Sequence, residues 1–241
     1  MFETLSTIEL TVAASIVAAL LAHALARTSL SRLTVAGVLG VWFELVLLIG
    51  ASRALDPVHG LGVPALGLTV GLPVAALLSA FFAVPSIRSA MLATPLPALV
   101  AVNATRVLPG ALFVALYGAG RLPAPFAPSA GWGDIITGVA ALPLAWSIAL
   151  LGPRMRALAL VWNTIGIADL IAAVALGALS SPGPLQVYAG PPTTVMMTTL
   201  PWLLVPGFIV PSLIFIHVVI YWRLAATEGF AWRGAGHARP M

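Results

Sequence analysis

Long apolar runs, each closed by a short polar or glycine- and proline-rich connection, recur along this chain. A bilayer core about 30 Å thick needs roughly 20 apolar residues per helix. The runs 7–26, 33–52, 60–83, 97–119, 131–151, 157–179 and 200–224 each meet that need. The pattern predicts an all-α membrane protein, a bundle of about seven transmembrane helices, in a single domain over residues 1–241. Pro85, Pro95 and Pro97 punctuate the approach to the fourth run. The connections 120–130 and 180–199 are rich in Gly and Pro and almost uncharged, so they read as loops over one mouth of the bundle. Asp134-Ile135-Ile136 and Asp169-Leu170-Ile171 look alike, but one short match is too little to establish an inverted repeat.

The charged positions then orient the bundle. The chain has no lysine, so all 11 basic residues are arginines. Arg27, Arg32, Arg88, Arg154, Arg156, Arg223, Arg233 and Arg239 fall on one set of connections, Arg53 and Arg121 on the other, and Arg106 inside a span. The positive-inside bias predicts an N-terminus outside and a C-terminus in the cytoplasm. The arginine-only, alanine-rich composition suggests a bacterial inner membrane. A sequence pI near 10.7 would suggest nucleic acid in a soluble protein. Here the arginines sit at helix ends, where anionic headgroups take them, so the expected partner is the lipid bilayer and no nucleic acid.

The absence of cysteine excludes disulfides and thiolate metal sites. The absence of lysine excludes Schiff-base chemistry, and with it a retinal protein of the usual kind. Met1-Phe2-Glu3-Thr4 has no positive charge, so the first run is expected to be a retained helix and not a cleaved signal.

Ionisable groups inside spans are costly and usually face the bundle interior. Glu44, Arg106 and Asp169 fall near the midplane of the second, fourth and sixth spans. Asn103 and Asn163 lie a turn or two further inward, and His23 and His217 near the cytoplasmic boundary. Asp134 falls at the outer boundary, where the fifth span starts. An arginine cannot shed its charge, so Arg106 needs an acid or several carbonyls. The expected buried cluster is Glu44, Arg106 and Asp169, joined by Asn163 and His217; Asp134, Asn103 and His23 are secondary candidates. Two acids against one arginine leave a carboxyl over to carry a proton. The bland alternative is a structural ion pair that fixes helix register, with the asparagines as interhelical hydrogen bonds. No catalytic residue or metal site is assigned, since a zinc centre needs three ligands and no His-x-x-x-His pairing exists. No cofactor is predicted either; the one arrangement the histidines allow is a b-type haem between His23 and His217.

Gly131-Trp132-Gly133-Asp134 spells the Gly-x-Gly-Asp signature of intramembrane aspartyl proteases, and Pro97-Ala98-Leu99 resembles the Pro-Ala-Leu motif of their presenilin branch. The partner aspartate of those families precedes Gly-x-Gly-Asp, whereas the aspartate that precedes it here, Asp56, falls in an outside loop. The Pro-Ala-Leu order is also reversed. The signature therefore reads as a tight turn with an aspartate at a helix N-terminus. Pro201, Pro206 and Pro211 should break the last span and make it the gating element.

Arg106-x3-Gly110, Leu122-Pro123, Gly133-Asp134-Ile135, Trp162-Asn163, Gly166, Asp169-Leu170, Pro201 and His217 together resemble a group of uncharacterised bacterial polytopic inner-membrane proteins. The resemblance covers the larger, C-terminal part of the chain and implies no activity. The expected function is a small proton-coupled carrier or permease. An intramembrane enzyme acting on a lipid or isoprenoid through a buried carboxylic acid is the alternative, and a haem-bearing or scaffolding subunit of a membrane complex is the third.

Overall fold

The computed structural model describes residues 2–26, 32–57 and 62–235. Arg27 and Arg239 lie outside them, as do the side chains of Arg32 and Arg233. Among the described residues every regular element is a helix. In chain order they are α1 (Phe2–Leu25), α2 (Arg32–Ala51), α3 (Gly62–Ala83), α4 (Pro85–Ala93), α5 (Leu96–Ala101), α6 (Val107–Gly118), α7 (Ala127–Leu151), α8 (Arg156–Leu179) and α9 (Val210–Ala235). Six stretches are long and apolar enough to cross a membrane. The longest, Ala127–Leu179, is folded into α7 and α8, each long enough to span by itself. Gly152, at φ 56°, followed by Pro153 ends α7 and sets the turn between the two.

The outer faces of these helices are apolar. Val38, Val41, Leu45 and Leu48 on α2, and Ile136, Val139, Leu142, Trp146 and Leu150 on α7, are all exposed. Contiguous apolar surface on this scale is not tolerated in water and is what a lipid bilayer covers. The most enclosed stretches are Leu96–Gly118, which carries the buried Asn103 and Arg106, and Val205–Ala225, which carries the buried Ser212 and His217.

Two expectations are corrected here. The fourth run is not one continuous helix: α5 and α6 are joined through a 3-10 stretch, Val102–Arg106. The last run is not a helix broken three times along its length. Pro201 precedes it, Pro206 lies in a π-helical turn over Val205–Ile209, and Pro211 is in the first turn of α9. The π-helical turn runs directly into α9, with Val210 N–H donating to Val205 O, and the missing N–H of Pro211 falls where the wider turn hands over to α-helix. The irregularity is thereby gathered at one end and α9 runs on unbroken.

Arginines mark both ends of the bundle. Arg223 Nη1 donates to the carbonyl of Leu92 at 3.0 Å and to that of Thr94, and Arg156 Nε donates to Leu224 O at 3.2 Å. These bonds tie the α4–α5 connection, the start of α8 and the middle of α9 together. Glu3, Arg53 and Arg121 line a common cleft formed at the first turn of α1 and just beyond the C-terminal ends of α2 and α6.

Candidate functional site: a buried arginine between two aspartates

The site begins with a local departure from α-helix. Asn103 Nδ2 bonds back to Leu99 O at 3.1 Å, and Thr105 Oγ1 to Val102 O at 2.7 Å. Such side-chain bonds compete with the regular ladder. The tighter 3-10 winding over Val102–Arg106 turns Arg106 into the interior, where its side chain is fully buried.

Two helices meet its guanidinium at three points. Nε donates to Asp134 Oδ1 on α7 at 2.6 Å, Nη2 to Asp169 Oδ2 on α8, and Nη1 to the Gly166 carbonyl on α8 at 3.0 Å. An arginine forced out of water is thus met by two opposite charges and a backbone dipole, as its burial demands. The aspartate side chains are 9% and 14% exposed, for Asp134 and Asp169, so Asp169 is the more accessible of the two.

Glycines make these approaches possible. A Cβ on Gly110 would lie 2.8 Å from Gly131 O and 2.9 Å from Asp134 Cβ, and one on Gly131 would lie 2.8 Å from Val114 Cγ2. These two residues let α6 and α7 touch backbone to backbone one turn from Arg106. A Cβ on Gly133 would overlap the Asp169 carboxylate itself. The Gly-x-Gly-Asp sequence is therefore a packing device inside α7. It is neither a turn nor a helix start, because α7 begins at Ala127.

A second polar pair lies behind the first. His217 on α9 bonds through Nδ1 to Asn163 Oδ1 at 2.7 Å, and Asn163 Nδ2 donates to His217 O at 3.1 Å. Since Oδ1 only accepts, Nδ1 carries the proton. The other edge of the imidazole packs on Gly166, where an added Cβ would come within 3.0 Å of Nε2. Trp162 flanks the ring, with centroids 5.5 Å apart, and its Nε1 donates to Thr137 O. Gly166 therefore touches both groups, through its carbonyl to Arg106 and through its Cα face to His217.

The expected cluster is thus regrouped. Arg106 and Asp169 meet, but the second acid is Asp134. Glu44 is exposed on α2, among outward apolar residues, and does not join. Asp134 lies about 10 Å inside its helix, at 1.5 Å per residue from Ala127, and so reaches Arg106. Asn163 and His217 pair with each other and contact Arg106 only by way of Gly166. Asn103 is fully buried and its amide bonds to its own helix. His23 is exposed on α1, and both His217 nitrogens are enclosed. Among the described residues no group of three or more His, Asp or Glu side chains is placed to hold a metal ion. The sequence mark of this site is the set of glycines Gly110, Gly131 and Gly133 beside a buried charge.

Asp134 also borders a cavity of about 80 Å³, lined apart from Thr194 by apolar residues such as Phe113, Phe126, Leu170, Met197 and Val205, with Pro206 of the π-helical turn in its wall. With both carboxylates ionised the triad carries one net negative charge, and with one proton it is neutral. The arrangement can therefore exist in two charge states beside an apolar space.

The family described as Domain of unknown function (DUF8737) matches residues 63–225, which include the triad, Asn163 and His217 and exclude α1 and α2. No match is found among curated proteins or among solved structures.

Proposed function

The chain belongs to the DUF8737 family, and from the site that the matched segment carries we propose that it is a small proton-coupled carrier of the bacterial inner membrane, with its N-terminus outside and its C-terminus in the cytoplasm. The observation that carries this reading is the imbalance of one permanently charged arginine against two buried carboxylates. Asp169, the more open acid, exchanges the proton; Arg106 is the fixed charge that makes the exchange change the site's net charge; Asp134 passes that change to the apolar cavity. The π-helical turn forms the wall that moves, since such turns concentrate where helices serve a function.

The test is proton movement in proteoliposomes that hold a pH-sensitive dye, challenged with a panel of small solutes. The wild-type protein is expected to acidify or alkalinise the lumen with its solute. Asp169→Asn is expected to lose that proton flux at least about tenfold, the effect of a 1.4 kcal/mol or larger change in the coupled step, while Glu44→Gln keeps it. Solute uptake with no proton movement, or an Asp169→Asn variant equal to wild type, would reject the reading. The almost wholly apolar lining around Asp134 favours one rival, an enzyme in which a protonated aspartic acid acts on an isoprenoid or lipid. That protein would purify with an apolar ligand and carry no flux.

The orientation has its own check, helped by a sequence without cysteine. A cysteine placed by Ala124→Cys is expected to react with an impermeant maleimide added outside cells, and one placed by Arg154→Cys only after the cells are opened. The reverse pattern would invert the proposed topology.

A further inference from the structure

The two arginines that break the one-sided distribution converge. Arg53 and Arg121 both line a cleft of about 390 Å³, together with Glu3, Thr199, Leu200 and Trp202. Each sits just past a helix end. After α6, Arg121 N donates to Leu116 O and Gly120 N to Tyr117 O, both at 2.9 Å, with Gly120 at φ 67°. After α2, Ala54 N donates to Ile49 O at 3.3 Å and Arg53 N to Gly50 O at 3.4 Å, with Arg53 itself at φ 54°.

Both are Schellman closures, in which backbone amides satisfy the last carbonyls of the helix. The guanidiniums are therefore not needed as caps. Glycine is the residue that fits the left-handed position without strain, and an L side chain there costs about 1 kcal/mol. Arg53 holds that position all the same. Among the described residues neither guanidinium has a carboxylate or other hydrogen-bond partner in the protein. With Glu3 as the acid in the cleft, its lining carries one net positive charge, just beyond the ends of two apolar helices, where headgroups are expected.

We propose that this cleft is a binding site for a phosphate group, clamped between Arg53 and Arg121. Guanidinium forks match phosphate oxygens in both charge and geometry, and two forks from two helices offset their mutual repulsion on one anion. The cleft is far larger than a phosphate, so the group arrives attached to something: the Leu200, Pro201 and Trp202 side takes an apolar or organic remainder. Gly50 keeps the distance between the arginines and this side fixed, because it packs α2 directly on Leu200, where an added Cβ would come within 2.8 Å of Cγ. The inference rests on none of the triad residues and stands or falls apart from the carrier reading.

Native mass spectrometry of the full-length protein in detergent tests it, with phosphatidic acid against a diacylglycerol of the same chains. The wild type is expected to prefer phosphatidic acid by about tenfold, the worth of one charge-assisted contact. Arg53→Gln and Arg121→Gln should each abolish the preference, and Arg154→Gln, at the other end of the bundle, should keep it. Arg53→Gly is the decisive variant, since it relieves the backbone: it should raise or preserve the melting temperature and still lose the lipid. Millimolar inorganic phosphate that displaces phosphatidic acid would identify a soluble phosphate compound as the source, and failure to displace it would identify a headgroup. Equal binding of the two lipids by the wild type, or a preference that survives in Arg53→Gly and Arg121→Gln, would overturn the proposal.

Discussion

Replacing Arg106 by glutamine is expected to destabilise the folded protein by about 3–5 kcal/mol, the cost of removing one partner from a buried charge cluster. The reason is not the loss of three hydrogen bonds alone. Arg106 is fully enclosed, and without it Asp134 and Asp169 face each other across the same space with no counter-charge. Glutamine supplies two donors in place of the guanidinium's five and no charge. The prediction has a sign that a merely polar contact would not produce. Adding Asp169→Asn to Arg106→Gln should recover part of the lost stability, because it removes one of the stranded charges. The two single changes should therefore be strongly non-additive, with a coupling of about 1–3 kcal/mol. Unfolding of the single and double variants in mixed micelles measures this directly. Additive effects, or a double variant worse than either parent, would mean that the three side chains do not act as one electrostatic unit.

What could be read from the sequence divides along a physical line. Depth is legible, because each residue advances a helix by 1.5 Å and the apolar runs mark where it enters the membrane. Arg106 falls inside a span on that basis, and its need for acids follows from a charge it cannot lose. The face a residue turns is not legible in the same way. α2 is apolar on every side, so nothing in its pattern tells an inward Glu44 from the outward one observed. The depth of Asp134 is hidden for a different reason: Ala127-Pro128-Ser129-Ala130 reads as loop, yet it is the first turn of α7, with proline where a helix start tolerates it. Four residues of helix moved the aspartate from the boundary to the arginine. The 3-10 stretch that ends at Arg106 is marked only by Asn103 and Thr105, whose side chains bond as readily inside an ordinary helix, and the π-helical turn before α9 only by nearby prolines, since both depend on how neighbouring helices accept irregular backbone.

Gly133→Ala should be the most damaging of the small substitutions. A methyl group there would occupy the position of the Asp169 carboxylate, so either the aspartate leaves Arg106 or α7 and α8 separate. Overpacking of this kind costs about 1–3 kcal/mol, and the loss of the Arg106–Asp169 contact adds to it. Ordinary helix propensity predicts the opposite, since alanine is favoured over glycine in a helix by about 1 kcal/mol. Gly118→Ala provides the comparison: Gly118 is helical, nothing lies within 4 Å of its added Cβ, and the change should be neutral or mildly stabilising. A specific rescue follows from the geometry. In an Asp169→Ala background the space beside Gly133 is no longer filled by a carboxylate, so Gly133→Ala should cost much less there than in the wild type. If it costs the same in both backgrounds, the glycine is not making room for the aspartate, and the arrangement of α7 and α8 around Arg106 would have to be redrawn. If the cost collapses as expected, Gly133 of the Gly-x-Gly-Asp sequence is owed to the approach of a charge on α8, as Gly131 is to the approach of α6, with no need of a protease's chemistry to explain them.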